Sequence, residues 1–197
     1  MSANFDVNDL PIVPGAVAGL LSWIVGYVLT YLLVASDIRE SGLNQFAQAF
    51  GDGDATYELV GWVFFNSHLV DAVIDAPFVG SRTANFVGGE DGFSVLLFVI
   101  PAVLLLAAGL AVGRSQGVTR ANDGAVAGAL VVPGYLVLCI VGAILFRVEV
   151  GGASGEPDLL PAILLAGIVY PLVFGAIGGV AAAVTTDDEP ARRRSTS

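Results

Sequence analysis

The sequence predicts an all-α membrane protein: a four-transmembrane-helix bundle of two tandem helical hairpins, with an amphipathic helix in a long first outer loop. Three observations predict it. Four uncharged apolar stretches, 13–35, 93–113, 125–146 and 159–184, each reach the roughly 20 residues that a helix needs to cross a bilayer. The chain is 55% hydrophobic and 13% charged, with a mean hydropathy of +0.80, whereas soluble domains carry about 25% charged residues. The stretch 58–76 mixes Trp62, Phe64 and Phe65 with Asn66, His68, Asp71 and Asp75. At 197 residues the chain reads as a single membrane domain, 1–197.

The segment ahead of the first stretch carries two aspartates and no basic residue. It lacks the positive region of a secretory signal, and the apolar run behind it is too long for one, so 13–35 reads as a retained span. The outer loop 36–92 follows. Within 38–50, apolar Leu43, Phe46, Ala47 and Phe50 recur at helical spacing and predict a short helix. "GDGD" at 51–54 reads as a turn between helices, because it lacks the ordered ligands and terminal Glu of a calcium loop.

The stretch 58–76 is the second helix of this loop. As a fifth span it fails: its apolar side chains contribute about −3 to −5 kcal/mol, and Asp71 alone costs about +3 kcal/mol near the middle. On a helical wheel Ser67, His68, Asp71 and Asp75 share an arc of about 100°, which suits an interfacial helix closed by Pro77. Trp62 suits the headgroup level. His68, Asp71 and Asp75 read as a solvated acidic face, with His68 paired to Asp71, rather than as a divalent-ion site. If the protein recognises a ligand at its outer face, the candidate residues are Trp62, Phe65, Asn66, His68, Asp71 and Asp75.

The third and fourth spans repeat the first hairpin. "GAVAGL" at 15–20 matches "GAVAGA" at 124–129, and "VIPAV" at 99–103 lies over "VYPLV" at 169–173 without gaps. Two hairpins entering from one side form a parallel repeat. Each span carries a glycine pair one turn apart: Gly15/Gly19, Gly109/Gly113, Gly124/Gly128 and Gly175/Gly179. Such pairs let helix backbones approach, and all eight fall in the same half of the bundle. Pro101, Pro133 and Pro171 interrupt three spans and predict kinks. Cys139, the single cysteine, reads as a small core residue and permits no internal disulfide.

Arginine placement sets the orientation. With both termini inside, the N-tail, 114–124 and the tail 185–197 hold five arginines, against three in the outer segments. This predicts a multi-pass protein of the cell membrane with both termini cytoplasmic. The chain has 18 acidic residues, 8 basic ones and no lysine, for a net charge of −10. That composition argues against a nucleic-acid partner and is expected of a protein in molar salt, where the Debye length falls to about 3 Å.

Chemistry-bearing sets are sparse. The spans offer hydroxyls, one thiol and no ionisable pair, which argues against an ion-coupled carrier. One histidine cannot build a two-histidine metal site, and no nucleophile elbow, Walker loop or dinucleotide fingerprint occurs. No enzyme, cofactor or metal is expected. The expected partners are the lipid bilayer and either a second copy or another membrane protein.

Taken together, "GYVLTYLL" at 26–33, "QAFGDG" at 48–53 and "VGWVFFNSHLVD" at 60–71 resemble a family of small haloarchaeal membrane proteins. That family is uncharacterised and sometimes loosely labelled transporter-like. The resemblance implies a four-span topology and a haloarchaeal origin, and it transfers no site residues. The expected function is a non-enzymatic structural or accessory membrane component. The alternative is a small permease or channel subunit with a pathway between hairpins or protomers.

Overall fold

The computed structural model describes residues 10–51, 53–77, 80–90 and 92–186. The expected tail beyond 186, with Arg192 to Arg194, lies outside the described residues, as do the first nine residues and Asp52. Four helical stretches are long and apolar enough to cross a membrane: Ile12–Glu40, Val95–Ser115, Ala121–Leu145 and Leu159–Thr185. Only 33, 33, 39 and 28% of their most apolar windows are buried inside the protein.

The first stretch is one helix, α1 (Ile12–Glu40), followed by α2 (Gly42–Phe50) and α3 (Thr56–Asn66). The other three long stretches each carry an irregularity at or just before their proline. A 3₁₀ turn over Val95–Phe98 leads into α4 (Val99–Ser115), whose first turn holds Pro101. The third stretch breaks between α5 (Ala121–Ala129) and α6 (Val132–Leu145), immediately ahead of Pro133. The fourth begins with the short turn α7 (Leu159–Pro161), widens into a π-helix over Ala162–Val169, and tightens into α8 (Tyr170–Thr186) around Pro171. Proline has no amide hydrogen and its ring crowds the carbonyl one turn back, so the chain changes helical type where the missing donor falls.

The expectation of a purely helical protein is corrected here. Four strands, β1 (Ala72–Ala76), β2 (Gly80–Ala84), β3 (Val148–Val150) and β4 (Ala153–Pro157), form one antiparallel sheet in the order β2-β1-β4-β3. The β3–β4 hairpin turns on Gly151 and Gly152, whose φ angles of 58° and 84° suit the two-residue turn that matches strand twist. The expected helix over 58–76 is also corrected, since it ends at Asn66. The backbone turns at Ser67 to Leu69, and the next residues pair as β1. β1 gains hydrogen-bonded partners on both sides, Ala84 and Pro157 opposite Ala72 and Ser81 and Ser154 opposite Asp75. A helix there would place Asp71 and Asp75 on one face but would leave these ladders unmade.

The chain divides into two compact units, and each long helical stretch contributes to both. In the first, which holds 10–22, Ala102–Tyr135 and 168–186, helices meet backbone to backbone. A Cβ on Gly109 or Gly128 would strike the Gly175 carbonyl oxygen, one on Gly124 that of Gly179, and one on Gly19 that of Val131. A Cβ on Gly15 would lie 2.6 Å from Leu130, and one on Gly113 2.7 Å from Ala182. The order of these contacts shows that α1 runs parallel to the third stretch, while α8 runs antiparallel to it and parallel to α4. The second unit, Trp23–Pro101 with Leu136–Gly167, holds the aromatic side chains around α3 and the whole sheet.

Candidate functional site

The second unit is built around α3. Thr56 and every residue from Leu59 to Asn66 are buried, so this helix is core rather than a surface layer. Asp54 prepares its start: one carboxylate oxygen accepts from the Thr56 amide (2.9 Å) and from its hydroxyl. These two bonds hold the Asp54 carboxyl below the usual range. Phe64 packs edge-on against Trp23, with ring centres 5.1 Å apart, and Phe146 stacks on Tyr27 at 5.3 Å. Gly61 is required by close approach, because a Cβ there would enter the Phe146 ring. Trp62 donates its indole N–H to the Phe146 carbonyl at 2.7 Å, and its ring lies on Gly155 of β4. This tryptophan is 3% exposed, which corrects its expected place among headgroups.

The polar run Asn66-Ser67-His68 closes the helix. Leu69 adopts φ +61°. Its amide bonds the Asn66 carbonyl at 2.9 Å, and the Val70 amide bonds that of Phe65 at 3.2 Å. This is a Schellman closure with a left-handed residue at the position where glycine is usual, and only a non-glycine side chain makes it strained. Asn66 donates to the Val70 carbonyl (2.8 Å) and accepts from the Phe86 amide (2.8 Å), joining the helix end to the segment after β2. Ser67 donates to the Phe64 carbonyl at 2.6 Å. The His68 Nδ1 lies 2.8 Å from the same carbonyl, and burial pushes the imidazole pKa down to about 4 despite that bond.

The six residues expected at an outer recognition face therefore separate. Trp62, Phe65, Asn66 and His68 are buried, with the last three at 0% exposure. Asp71 is half-buried and accepts from the Asn85 side chain at 2.9 Å, whereas Asp75 is exposed on β1. The expected pairing of His68 with Asp71 gives way to these partners. Among the described residues, no three His, Cys, Asp or Glu side chains gather as an ion cage.

Sequence reasoning missed a mixed-charge cavity of about 230 Å³ lined by Asp54, Glu58, Arg147 and Glu149. Arg147 reaches Glu149 at 2.8 Å and Glu156 at 3.2 Å, and these carboxylates raise its pKa. One Glu58 oxygen is buried without a hydrogen-bond partner. Burial, and then the Glu58 charge, raise the pKa of neighbouring Tyr57. The cavity joins Asp54 and Glu58 to Arg147 and Glu149, at least 89 positions further along the chain, a pairing for which no local pattern exists.

Three hydroxyls of α1 are spent internally. Ser22 and Thr30 donate to the carbonyls of Ala18 and Gly26 at 2.8 and 2.9 Å, and Tyr27 donates to the Tyr57 carbonyl at 3.0 Å. Against known proteins, a model described as a family of unknown function (DUF7978) matches residues 3–186. No curated protein and no solved structure matches the chain.

Proposed function

Since the chain belongs to this family of unknown function, we propose from its geometry that it is a four-span protein of the cell membrane with a non-enzymatic structural or accessory role. In this reading both termini are cytoplasmic, and α2, α3 and the sheet form a cap on the outer face. The observation that carries the reading is the use of polar groups. Asn66, Ser67, Ser22, Thr30, Tyr27 and Trp62 all bond the protein's own backbone. Groups committed in this way hold a scaffold in shape, whereas a solute path needs polar atoms free to replace water. Membrane insertion is supported by the largely unburied apolar surface of the four long helices, which is costly in water and neutral in lipid. The acidic, lysine-free composition supports work at high salt.

The permease or channel reading has one observation in its favour. Three of the four long stretches break or change helical type near a proline, and broken helices build substrate sites in transporters. Purification at high salt with mass spectrometry, followed by solute flux in proteoliposomes, separates the two. A stoichiometric membrane partner or a homo-oligomer without flux is the expected result. Saturable flux of any solute would overturn the accessory role. Cysteine accessibility at an Asp75→Cys position from the cytoplasmic side would overturn the orientation.

A further inference from the structure

We propose that α2, rather than α3, is the segment seated on the bilayer, with Leu43, Phe46 and Phe50 among lipid at the headgroup–acyl boundary. The proposal rests on the reading that the four long helices cross a membrane. Leu43, Phe46 and Phe50 are 43, 49 and 68% exposed, and the two phenyl rings lie 5.0 Å apart. At 100° per residue they fall on one stripe. Its orientation is held by the neighbouring face of the helix, which Asn44 and Ala47 occupy. Asn44 is buried, accepts from the Ala55 amide at 2.9 Å, and donates to the Thr56 hydroxyl at 3.2 Å. Ala47 is buried beside it, so α2 cannot roll its aromatic side inward without breaking these bonds.

Both ends of α2 are tied close to where long helices end. Its first residue follows α1 after Ser41 alone. The 29 residues of α1 span about 43 Å, the thickness of a bilayer including its headgroups. Its last residue is followed by Gly51, which pairs with Val150, five positions after the end of α6. Residues 42–50 contain no charge in a chain of net charge −10, and neutral amides with phenyl rings are compatible with the interfacial zone. Leu32 and Leu33, in the same half of α1 as the end that α2 follows, are 73 and 62% exposed.

The test is nitroxide labelling in proteoliposomes. Cysteines replace Phe46, Phe50, Leu32 and Gln48 one at a time in a Cys139→Ala background, and collisions with oxygen and a water-soluble nickel chelate are compared. The expected oxygen-to-nickel ratio is several-fold higher at positions 46 and 50 than at 48, and approaches that at 32. A nickel-dominated signal at 46 and 50 would place α2 in water and overturn the proposal. Low collision with both reagents would mean that protein covers the stripe, and would overturn it too. Loss of the oxygen preference at position 32 would instead sink the membrane reading on which the proposal rests. Should F50C fail to incorporate, F46C carries the same test one turn earlier.

Discussion

Gly175 is where helix packing is most open to a direct test. A Cβ added to it would lie 2.5 Å from the Gly128 carbonyl oxygen and 2.7 Å from the Val131 Cγ2. Ordinary contact begins at 3.4 Å, and the nearest atom belongs to backbone, so Gly175→Ala must part α8 from α5 by about 0.9 Å. A gap of about 0.5–1 Å forfeits a quarter to a half of each dispersion contact along the seam, and overpacking of this kind costs about 1–3 kcal/mol. Under the proposed membrane reading lipid fills no part of that loss, since helix association in a membrane depends on packing itself. The assay is reversible unfolding in mixed micelles by titration with SDS, with Gly42→Ala as the control. Nothing lies within 4 Å of a Cβ at Gly42, so alanine there is expected to be neutral or to stabilise by up to about 1 kcal/mol. Gly175→Ala at or above wild-type stability, with the control behaving as expected, would refute the close-packing argument.

Three further outcomes follow from the second unit. His68 has its folded pKa lowered to about 4 from 6.5, so the unfolded chain binds the proton first. Its contribution to stability is complete above about pH 6.5 and declines towards pH 4 by about 3 kcal/mol in total; a His68→Gln variant with an unchanged pH slope would contradict this. Asn66→Leu strands the buried Val70 carbonyl and the Phe86 amide and is expected to cost about 2–4 kcal/mol, checked by the same SDS titration. Leu69→Gly relieves a left-handed residue worth about 1–2 kcal/mol against about 0.5–1 kcal/mol of added chain entropy. It should leave stability equal or slightly higher, while Leu69→Val lowers it; a clear loss with glycine would mean that the Leu69 side chain itself carries packing.

The helical framework was legible in the residues, and the sheet with its neighbouring short helices was legible only in part. The four long helices, the short helix at Leu43 to Phe50 and the glycine pairs stand where uninterrupted hydropathy and one-turn spacing place them. The sheet was masked by its composition. β2 reads Gly-Ser-Arg-Thr-Ala and β4 reads Ala-Ser-Gly-Glu-Pro, neither of which carries the β-branched alternation of a strand. One signal was available: Val150-Gly151-Gly152-Ala153 is a two-residue hairpin turn. The Ser67, Asp71 and Asp75 spacing imitated a helix face, although Ser67 lies in the turn that closes α3, Asp71 just ahead of β1 and Asp75 within it.

Sequence alone determined the number and approximate placement of the apolar helices, because hydropathy is a local sum over consecutive residues and needs no partner. The fate of Trp62 to Asp75 was decided only by tertiary structure. Whether Trp62 meets lipid or the Phe146 carbonyl depends on a contact across 84 positions. Whether Asp71 and Asp75 join His68 depends on strand partners at Ala153–Pro157. The same polar letters can face water on a helix or close a buried turn, and what selects the second is the hydrogen bonding and burial gained when distant segments meet.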